Sequence, residues 1–197
     1  MTTLVAVTTE PATTMHERVV EAAVRLTTDA GWSEVTMAKL ADEVGVSRQT
    51  VYNEIGTKPQ LAEAMILREL DRFLAIVSVA FDRNPDDIVA AIRGAVVGVL
   101  EHAQDNQLLH AIVSATHGAD TELLPLLTTH AESLLGVAKV VIADRIERYD
   151  IDLDRKHLEA AIDMVVRVLL SHVLQPSGPP RETGEDIAWI AARVLRG

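Results

Sequence analysis

The sequence predicts an all-α fold of about nine helices. Apolar residues recur at the three- and four-residue spacing that lines one face of a helix, and no segment shows the strict alternation of a half-buried strand. Aromatic residues make up only 3% of the chain and the dipeptides typical of hairpins are missing, so a sheet is not expected.

The N-terminal residues 1–14 are rich in Thr and small side chains and lack helical periodicity, so we expect a mobile tail. A first helix begins at Met15 and is stopped by Gly31. The residues predicted to line its buried face are Val19, Ala22, Ala23 and Leu26.

Two short helices are predicted next, at 37–44 and 48–55. Thr36 and Ser47 precede them as N-caps, and Gly45 lies between them. Two short helices around a glycine turn are the layout of a helix-turn-helix. The small core expected beneath them consists of Leu40, Ala41, Val44, Val46 and Val51.

A long fourth helix is predicted to open at Thr57-Lys58-Pro59-Gln60, which has the form of a capping box. It ends before Asn84-Pro85-Asp86-Asp87, which would cap a following helix that runs to about Gln104. The remaining helices are predicted at 107–116, about 124–149, 154–174 and about 185–195. These helices divide the chain into two expected domains, residues 15–60 and residues 61–197.

The net charge is 18 − 29 = −11, which on its face argues against a nucleic-acid partner, because phosphate binding depends on Lys and Arg. Resolved along the chain, however, residues 1–60 carry −3 and the remainder −8. Within residues 45–58 the charged residues are Arg48, Glu54 and Lys58, so this patch is locally positive by one.

The second helix of a helix-turn-helix enters the major groove with its N-terminal residues near the base edges. Gln49 can form a two-pronged contact with adenine, Arg48 with guanine or a phosphate, and the Thr50 methyl group can touch thymine. Phosphate contacts are expected from Thr36, from Tyr52 and from the ammonium group of Lys58 at a helix N-terminus. The complete set of predicted DNA-binding residues is Thr36, Ser47, Arg48, Gln49, Thr50, Tyr52, Asn53 and Lys58.

This segment resembles the TetR-type transcriptional regulators. The resemblance implies an N-terminal three-helix DNA-binding domain, a divergent helical effector-binding domain and a homodimer that most often acts as a repressor. After Tyr52 many members have an aromatic residue, His and Phe, where this chain has Asn53, Glu54 and Ile55. The residues that carry the resemblance are Ala22, Ala23, Leu26, Gly31, Trp32, Thr36, Leu40, Ala41, Gly45, Val46, Ser47, Thr50, Val51, Tyr52, Lys58 and Leu61.

The last two helices carry apolar stripes that must be buried, either in the chain's own core or against a second subunit. The resemblance favours a four-helix bundle between two subunits, which would also suit a palindromic operator with two half-sites. The residues predicted for this dimer interface are Ile162, Val165, Val166, Leu169, Val173, Ile187, Ile190 and Val194.

Between these regions lie many aliphatic residues and four histidines, a composition that suits a pocket for a small molecule. The shortage of aromatic residues predicts an aliphatic or acyl-like effector. Each residue taken singly is equally well explained as plain core. The predicted effector-pocket residues are Phe73, Val77, Ile92, Val96, Leu100, His110, Ile112, Val113, His117, Leu126 and His130.

No nucleophile elbow, phosphate loop or paired metal motif is found, so we expect no enzyme activity, no cofactor and no metal. Asp154 and His157 are spaced as metal ligands, but Asp154 is better explained as an N-cap. With no Cys and no long apolar run, a cytoplasmic protein without membrane contact is expected. The alternative to a DNA-binding regulator is a helical interaction or ligand-binding module with little DNA binding.

Overall fold

The computed structural model describes residues 13–116 and 131–195. Within these residues it contains nine α-helices, one short 3₁₀ turn and no strand, which confirms the predicted all-α fold. The chain divides into two compact units, the first ending at Leu61 and the second beginning at Ala62. None of the described helices is long and apolar enough to cross a bilayer.

The first unit is built on three helices, α1 (Met15–Ala30), α2 (Met37–Val44) and α3 (Arg48–Ile55), with the 3₁₀ turn at Trp32–Glu34. Thr14 is the N-cap of α1. Its hydroxyl accepts from the Glu17 N–H, and the Glu17 carboxylate accepts from the Thr14 N–H. This reciprocal capping box satisfies two backbone donors at the helix start. Of the predicted tail, residues 1–12 lie outside the described residues.

The predicted core of the helix-turn-helix is largely buried. Leu40, Ala41 and Val51 are at most 2% exposed and Val44 is 9% exposed. Val46 was expected in this core but is only partly buried. It lies in the turn itself, where its N–H bonds back to the carbonyl of Ala41, so its side chain leaves the packed face.

The turn between α2 and α3 depends on Gly45, which has a φ of 76°. The N–H groups of Gly45 and Val46 both bond to the carbonyl of Ala41, each at 2.9 Å. Residues with a Cβ rarely adopt this left-handed backbone, so glycine lets α2 stop here and α3 start three residues later, at Arg48.

The long helix α4 (Lys58–Arg83) begins at the end of the first unit and continues into the second. The predicted contact at its start has Thr57 accepting from the Gln60 N–H. In the structure Gln60 is the acceptor: its Oε1 accepts from the N–H and the hydroxyl of Thr57 at 2.8 and 3.0 Å. The other helices of the second unit are α5 (Ile88–Gln104), α6 (Gln107–Thr116), α7 (Ala131–Ile146), α8 (Arg155–Leu174) and α9 (Pro180–Val194).

Helix α9 begins at Pro180, earlier than the predicted start near Glu185. Proline fits the first turn because its missing N–H would have no partner there. Helix α9 packs most extensively on α5. The close approach is at Gly184, where a Cβ would lie 2.4 Å from Val97 Cγ2. The two helices leave no room for a side chain at Gly184, and the sequence pattern does not show this close contact.

A substitution at Gly45 tests the turn. A Cβ at this position meets nothing within 4 Å, so Gly45→Ala carries only the cost of the left-handed backbone. We expect a loss of about 1 kcal/mol in the free energy of unfolding, measured by urea denaturation. Gly136→Ala is the matched control, because Gly136 lies inside α7 and its Cβ also meets nothing within 4 Å. It should stabilise by about 0.5–1 kcal/mol. Equal effects at both positions would contradict this explanation of Gly45.

The ion pairs of Asp163 give the second unit an acid-sensitive contact between α7 and α8. Lys139 Nζ and Arg167 Nε lie 2.8 and 2.7 Å from its carboxylate and hold its pKa below the ordinary 3.8. This contribution to stability is present above pH 3.8 and is lost as the pH falls through the lower folded pKa.

We therefore expect Asp163→Asn to lower the urea midpoint at pH 7 and to leave it close to that of the unaltered protein at the lowest pH where both fold. A midpoint difference that is the same at every pH would rule out the ion pairs as its cause.

Candidate nucleic-acid interface and effector cavities

Helix α3 has one buried and one exposed face. Val51 and Ile55 are buried in the first unit, at 0% and 7% exposure. The opposite face carries five of the predicted DNA-binding residues and is open to solvent, as a recognition helix requires. The exposed side chains on this face and its N-cap are Ser47, Arg48, Gln49, Tyr52 and Asn53, and Thr50 is partly buried.

Two hydrogen-bonded pairs of residues organise this face. The Ser47 hydroxyl accepts from the Thr50 N–H at 3.1 Å and lies 2.9 Å from the Thr50 hydroxyl. One turn further, Gln49 Nε2 donates to Asn53 Oδ1 at 2.9 Å. Gln49, predicted to contact adenine, and Asn53, also in the predicted DNA-binding set, therefore contact each other, which holds both amides on one side of the helix.

Helix α1 supports the C-terminal ends of α2 and α3. Arg18 Nη2 donates to the carbonyl of Val44 at 3.0 Å, and His16 Nδ1 lies 3.2 Å from the carbonyl of Glu54. Basic side chains satisfy the unpaired carbonyls and the negative dipole at helix ends. Sequence reasoning missed these positioning residues because their partners are backbone atoms distant in sequence.

Lys58, predicted as a phosphate contact, lies with its ammonium group 4.8 Å from the centre of the Trp32 ring. Trp32 is 3% exposed, so this cation–π contact forms at the surface of the first unit's core. Thr36 is exposed and serves as the N-cap of α2, where its hydroxyl accepts from the Lys39 N–H at 3.2 Å. Both residues have structural contacts in addition to the predicted phosphate contacts.

Exposed ion pairs reduce the positive potential of the first unit. Lys39 Nζ lies 2.6 Å from Glu34, and Arg25 Nη2 lies 3.3 Å from Glu43. The Lys39 ammonium lowers the pKa of the Glu34 carboxyl, mainly through its hydrogen bond. The unit therefore offers few unshielded cations to phosphates, and sequence-independent attraction to DNA should be weak.

The second unit contains an apolar cavity of about 510 Å³, here called the α8 cavity because α8 supplies the largest group of its walls. Helices α4, α5, α7 and α9 complete it, and His157 is the one polar side chain among its described lining residues. Residues that represent its walls are Val77, Phe81, Ile92, Val96, Ile142, Ile146, Val165, Leu169, Ile190 and Val194.

A second cavity of about 190 Å³, here called the Glu69 cavity, lies among α4, α5, α6, α7 and α8. Its described lining residues are aliphatic or aromatic except for Glu69. The two cavities share a wall, formed by Val77, Ile142, Val166 and Leu169. Movement of four aliphatic side chains would therefore join them.

The predicted effector-pocket residues divide between these cavities. Ile92 and Val96 line the α8 cavity, Phe73 and Ile112 line the Glu69 cavity, and Val77 lines both. Leu100 and His110 instead line a more polar depression of about 320 Å³ next to the loop before α9. The side chain of Val113 and the residues His117, Leu126 and His130 lie outside the described part of the chain.

A buried polar cluster at Glu69 was missed by sequence reasoning. Glu69 is 5% exposed, and His102 Nε2 lies 2.8 Å from its Oε1. Asn106 Nδ2 also donates to Oε1, and Arg72 Nη1 donates to Oε2 at 3.1 Å. Asn106 Oδ1 accepts from the Leu109 N–H at 2.9 Å, in the first turn of α6. The signal in the sequence was the spacing. Glu69 follows Leu61 and Met65 at intervals of four residues, so its carboxylate falls on the buried stripe of α4.

The structure divides the predicted dimer residues of α8 and α9 into two groups. Ile162, Val166 and Ile187 are 6%, 9% and 5% exposed, and Val165, Leu169 and Val173 are partly buried against the core that α5, α8 and α9 form, so these six pack within the chain. The other two predicted residues, Ile190 and Val194, are 53% and 44% exposed. Two further apolar residues of the same helices, Met164 and Trp189, are each 61% exposed and were missing from the predicted set.

Asp154 is the N-cap of α8, as predicted, and accepts from the His157 N–H at 2.9 Å. Hydrogen bonds from the backbone and the ring of His157 lower the pKa of the Asp154 carboxyl. Within residues 13–116 and 131–195, no three His, Asp or Glu side chains converge as a metal site.

Two family models match the chain. Residues 19–65 match the bacterial regulatory proteins of the tetR family, and residues 87–193 match the C-terminal domain of the bacterial tetracyclin repressor. Among curated proteins, the HTH-type transcriptional regulator AlkX of Mycobacterium tuberculosis is 28% identical over 182 residues, covering 92% of this chain and 83% of the relative.

Solved structures show the same fold. The TetR family repressor AlkX from a Dietzia strain, described as implicated in biodegradation of n-alkanes, superposes with a TM-score of 0.76 at 24% identity and covers 95% of this chain and 98% of its own. The multidrug binding protein EbrR in complex with imidazole gives a TM-score of 0.60 at 17% identity, covering 94% and 96%. Because the C-terminal model alone spans more than half of the chain and the N-terminal model spans the helix-turn-helix, the protein belongs to the TetR family and is a transcriptional regulator rather than an enzyme.

Proposed function

We propose that this regulator is a homodimeric repressor in the bacterial cytoplasm that binds a palindromic DNA operator and is released from it by a small, largely apolar effector. The exposed polar face of α3 carries the DNA-binding half of this proposal. The two apolar cavities of the second unit carry the effector half.

The proposed base contacts come from the start of α3. Arg48 and Gln49 lie in its first turn, where the residues of a recognition helix approach base edges. The pair Gln49–Asn53 offers an amide donor and acceptor to the same base step. Tyr52 is 44% exposed and is proposed to contact a phosphate. Ser47, Thr50, Thr36 and Lys58 complete the proposed surface.

The proposed dimer uses the exposed apolar residues of α8 and α9. Large apolar side chains at 53–61% exposure on adjacent helices form a patch that water solvates poorly. A second copy would cover it with the same residues, which gives the self-complementary interface of a two-fold dimer. Trp189 also carries Arg193 over its ring at 5.1 Å, which adds a charged rim.

The proposed effector is aliphatic. The walls of both cavities are mostly Val, Leu, Ile and Ala, with Phe81 and Phe73 as the aromatic members among the described lining residues. The similarity to the Dietzia repressor AlkX, which is implicated in biodegradation of n-alkanes, supports the same chemistry. In the proposed mechanism, effector binding favours one tilt of α4 and changes the separation of the two recognition helices, so that the dimer no longer matches its operator.

Substitutions on α3 test the DNA contacts. We expect Gln49→Ala and Tyr52→Ala each to weaken operator binding by about 1–3 kcal/mol, measured by mobility shift on DNA upstream of the protein's own gene. Arg48→Ala should weaken binding and reduce its salt dependence.

Lys156→Ala is the matched control for Arg48→Ala, since it removes one positive charge from an exposed position on α8. It should leave operator binding unchanged. Undiminished binding in both Gln49→Ala and Tyr52→Ala would refute the assignment of the recognition face.

Charge introduced at the exposed apolar patch tests the dimer. Ile190→Glu, combined with Trp189→Glu, would bury two carboxylates in the interface, so we expect a monomer by sedimentation and loss of operator binding. Val79→Glu, at a 46% exposed position on α4, should leave the dimer intact. If the double variant sediments as the unaltered protein does, the interface lies elsewhere.

A further inference from the structure

We propose that the Glu69 cavity takes the head group of the effector and that this head group is a hydrogen-bond donor, a hydroxyl or an amine, on an aliphatic chain. The inference rests on the proposed function, because it names the chemistry of the effector. Glu69 is the residue that accepts the hydrogen bond.

The polarity of the cavity singles out Glu69. Among the described lining residues it alone carries a polar side chain, and it is 5% exposed. A polar ligand atom that enters this cavity loses its hydrogen bonds to water and must find a partner inside. The acceptor oxygens of Glu69 are therefore the anchor that a head group can use.

The partners of Glu69 leave room for one more donor. An ionised carboxylate has about four lone-pair sites. Oε1 faces two described side chains, His102 and Asn106, and Oε2 faces one, Arg72. One acceptor site, on Oε2, is thus not taken by a described side chain. A ligand that donates a proton complements this site.

A ligand carboxylate fits the same site poorly. At neutral pH it has no proton to donate, and it would bring a second negative charge beside Glu69 into apolar surroundings. Arg72 already pairs with Oε2, and neither Arg72 nor His102 is among the described residues that line the cavity. Arg72 is thus engaged with Glu69, and Arg72 is not part of the described cavity wall that a ligand anion would meet.

The size of the cavity limits what it holds. The Glu69 cavity, at about 190 Å³, is smaller than the α8 cavity, at about 510 Å³, so it is assigned the head group and a short stretch of chain. A longer chain meets the wall of Val77, Ile142, Val166 and Leu169, and reaches the α8 cavity when these side chains change rotamer.

The test compares head groups on one chain. The full-length protein, without DNA, is titrated calorimetrically with decan-1-ol, decylamine, decanoate and methyl decanoate, each below its aggregation concentration. We expect the alcohol or the amine to bind about tenfold more tightly than decanoate and than the ester, which has no donor. The ranking of alcohol and amine then identifies whether the donor is neutral or cationic.

Two variants assign the effect to Glu69. Glu69→Gln should weaken the donor ligand about tenfold and leave methyl decanoate within about twofold. Glu63→Gln removes an exposed carboxylate from the same helix and should leave all four affinities unchanged.

Tightest binding by decanoate, or an equal loss of all four ligands in Glu69→Gln, would overturn the inference. The ranking on the unaltered protein remains decisive if Glu69→Gln does not fold. Failure of the proposed function is seen separately, as absence of operator binding in the mobility shift.

Discussion

The buried carboxylate of Glu69 constrains the second unit more than any other single group described. An ionised carboxylate at 5% exposure is strongly unfavourable unless its charge is paired and its oxygens are hydrogen-bonded. Its partners come from its own helix α4 through Arg72, from α5 through His102 and from Asn106, the residue directly before α6. Three helices must therefore hold their relative positions for this charge to be tolerated.

Asn106 connects this constraint to the start of α6. Its amide nitrogen donates to Glu69 while its amide oxygen accepts from the Leu109 N–H, so one side chain both hydrogen-bonds the carboxylate and caps a helix. A ligand donor bound at the remaining acceptor site of Glu69, as proposed above, would add one hydrogen bond to this cluster. The proposed head group would then contact the same carboxylate that α4, His102 and Asn106 share.

The acidic composition is compatible with DNA binding because eight of the eleven excess negative charges lie after residue 60, outside the helix-turn-helix. The first unit places polar, mostly uncharged side chains on the exposed face of α3 and ties two of its basic residues to carboxylates. In the proposed dimer, affinity then depends on matching base edges with two subunits at half-sites about 34 Å apart. A protein of this charge is expected to discriminate strongly between operator and other DNA, because the sequence-independent attraction is weak.

Local sequence was enough to predict the helices and their caps. Thr36, Ser47 and Asp154 cap helices where predicted, and Gly45 adopts the left-handed turn, because capping and glycine turns involve atoms only a few residues apart. Tertiary packing decided which apolar stripe faces inward and which outward. Ile162 and Ile187 became core, whereas Trp189 and Ile190 remained exposed. The choice depends on the neighbouring helices, which periodicity does not identify. The same holds for Glu69, whose partners on α5 and α6 are more than thirty residues away in sequence.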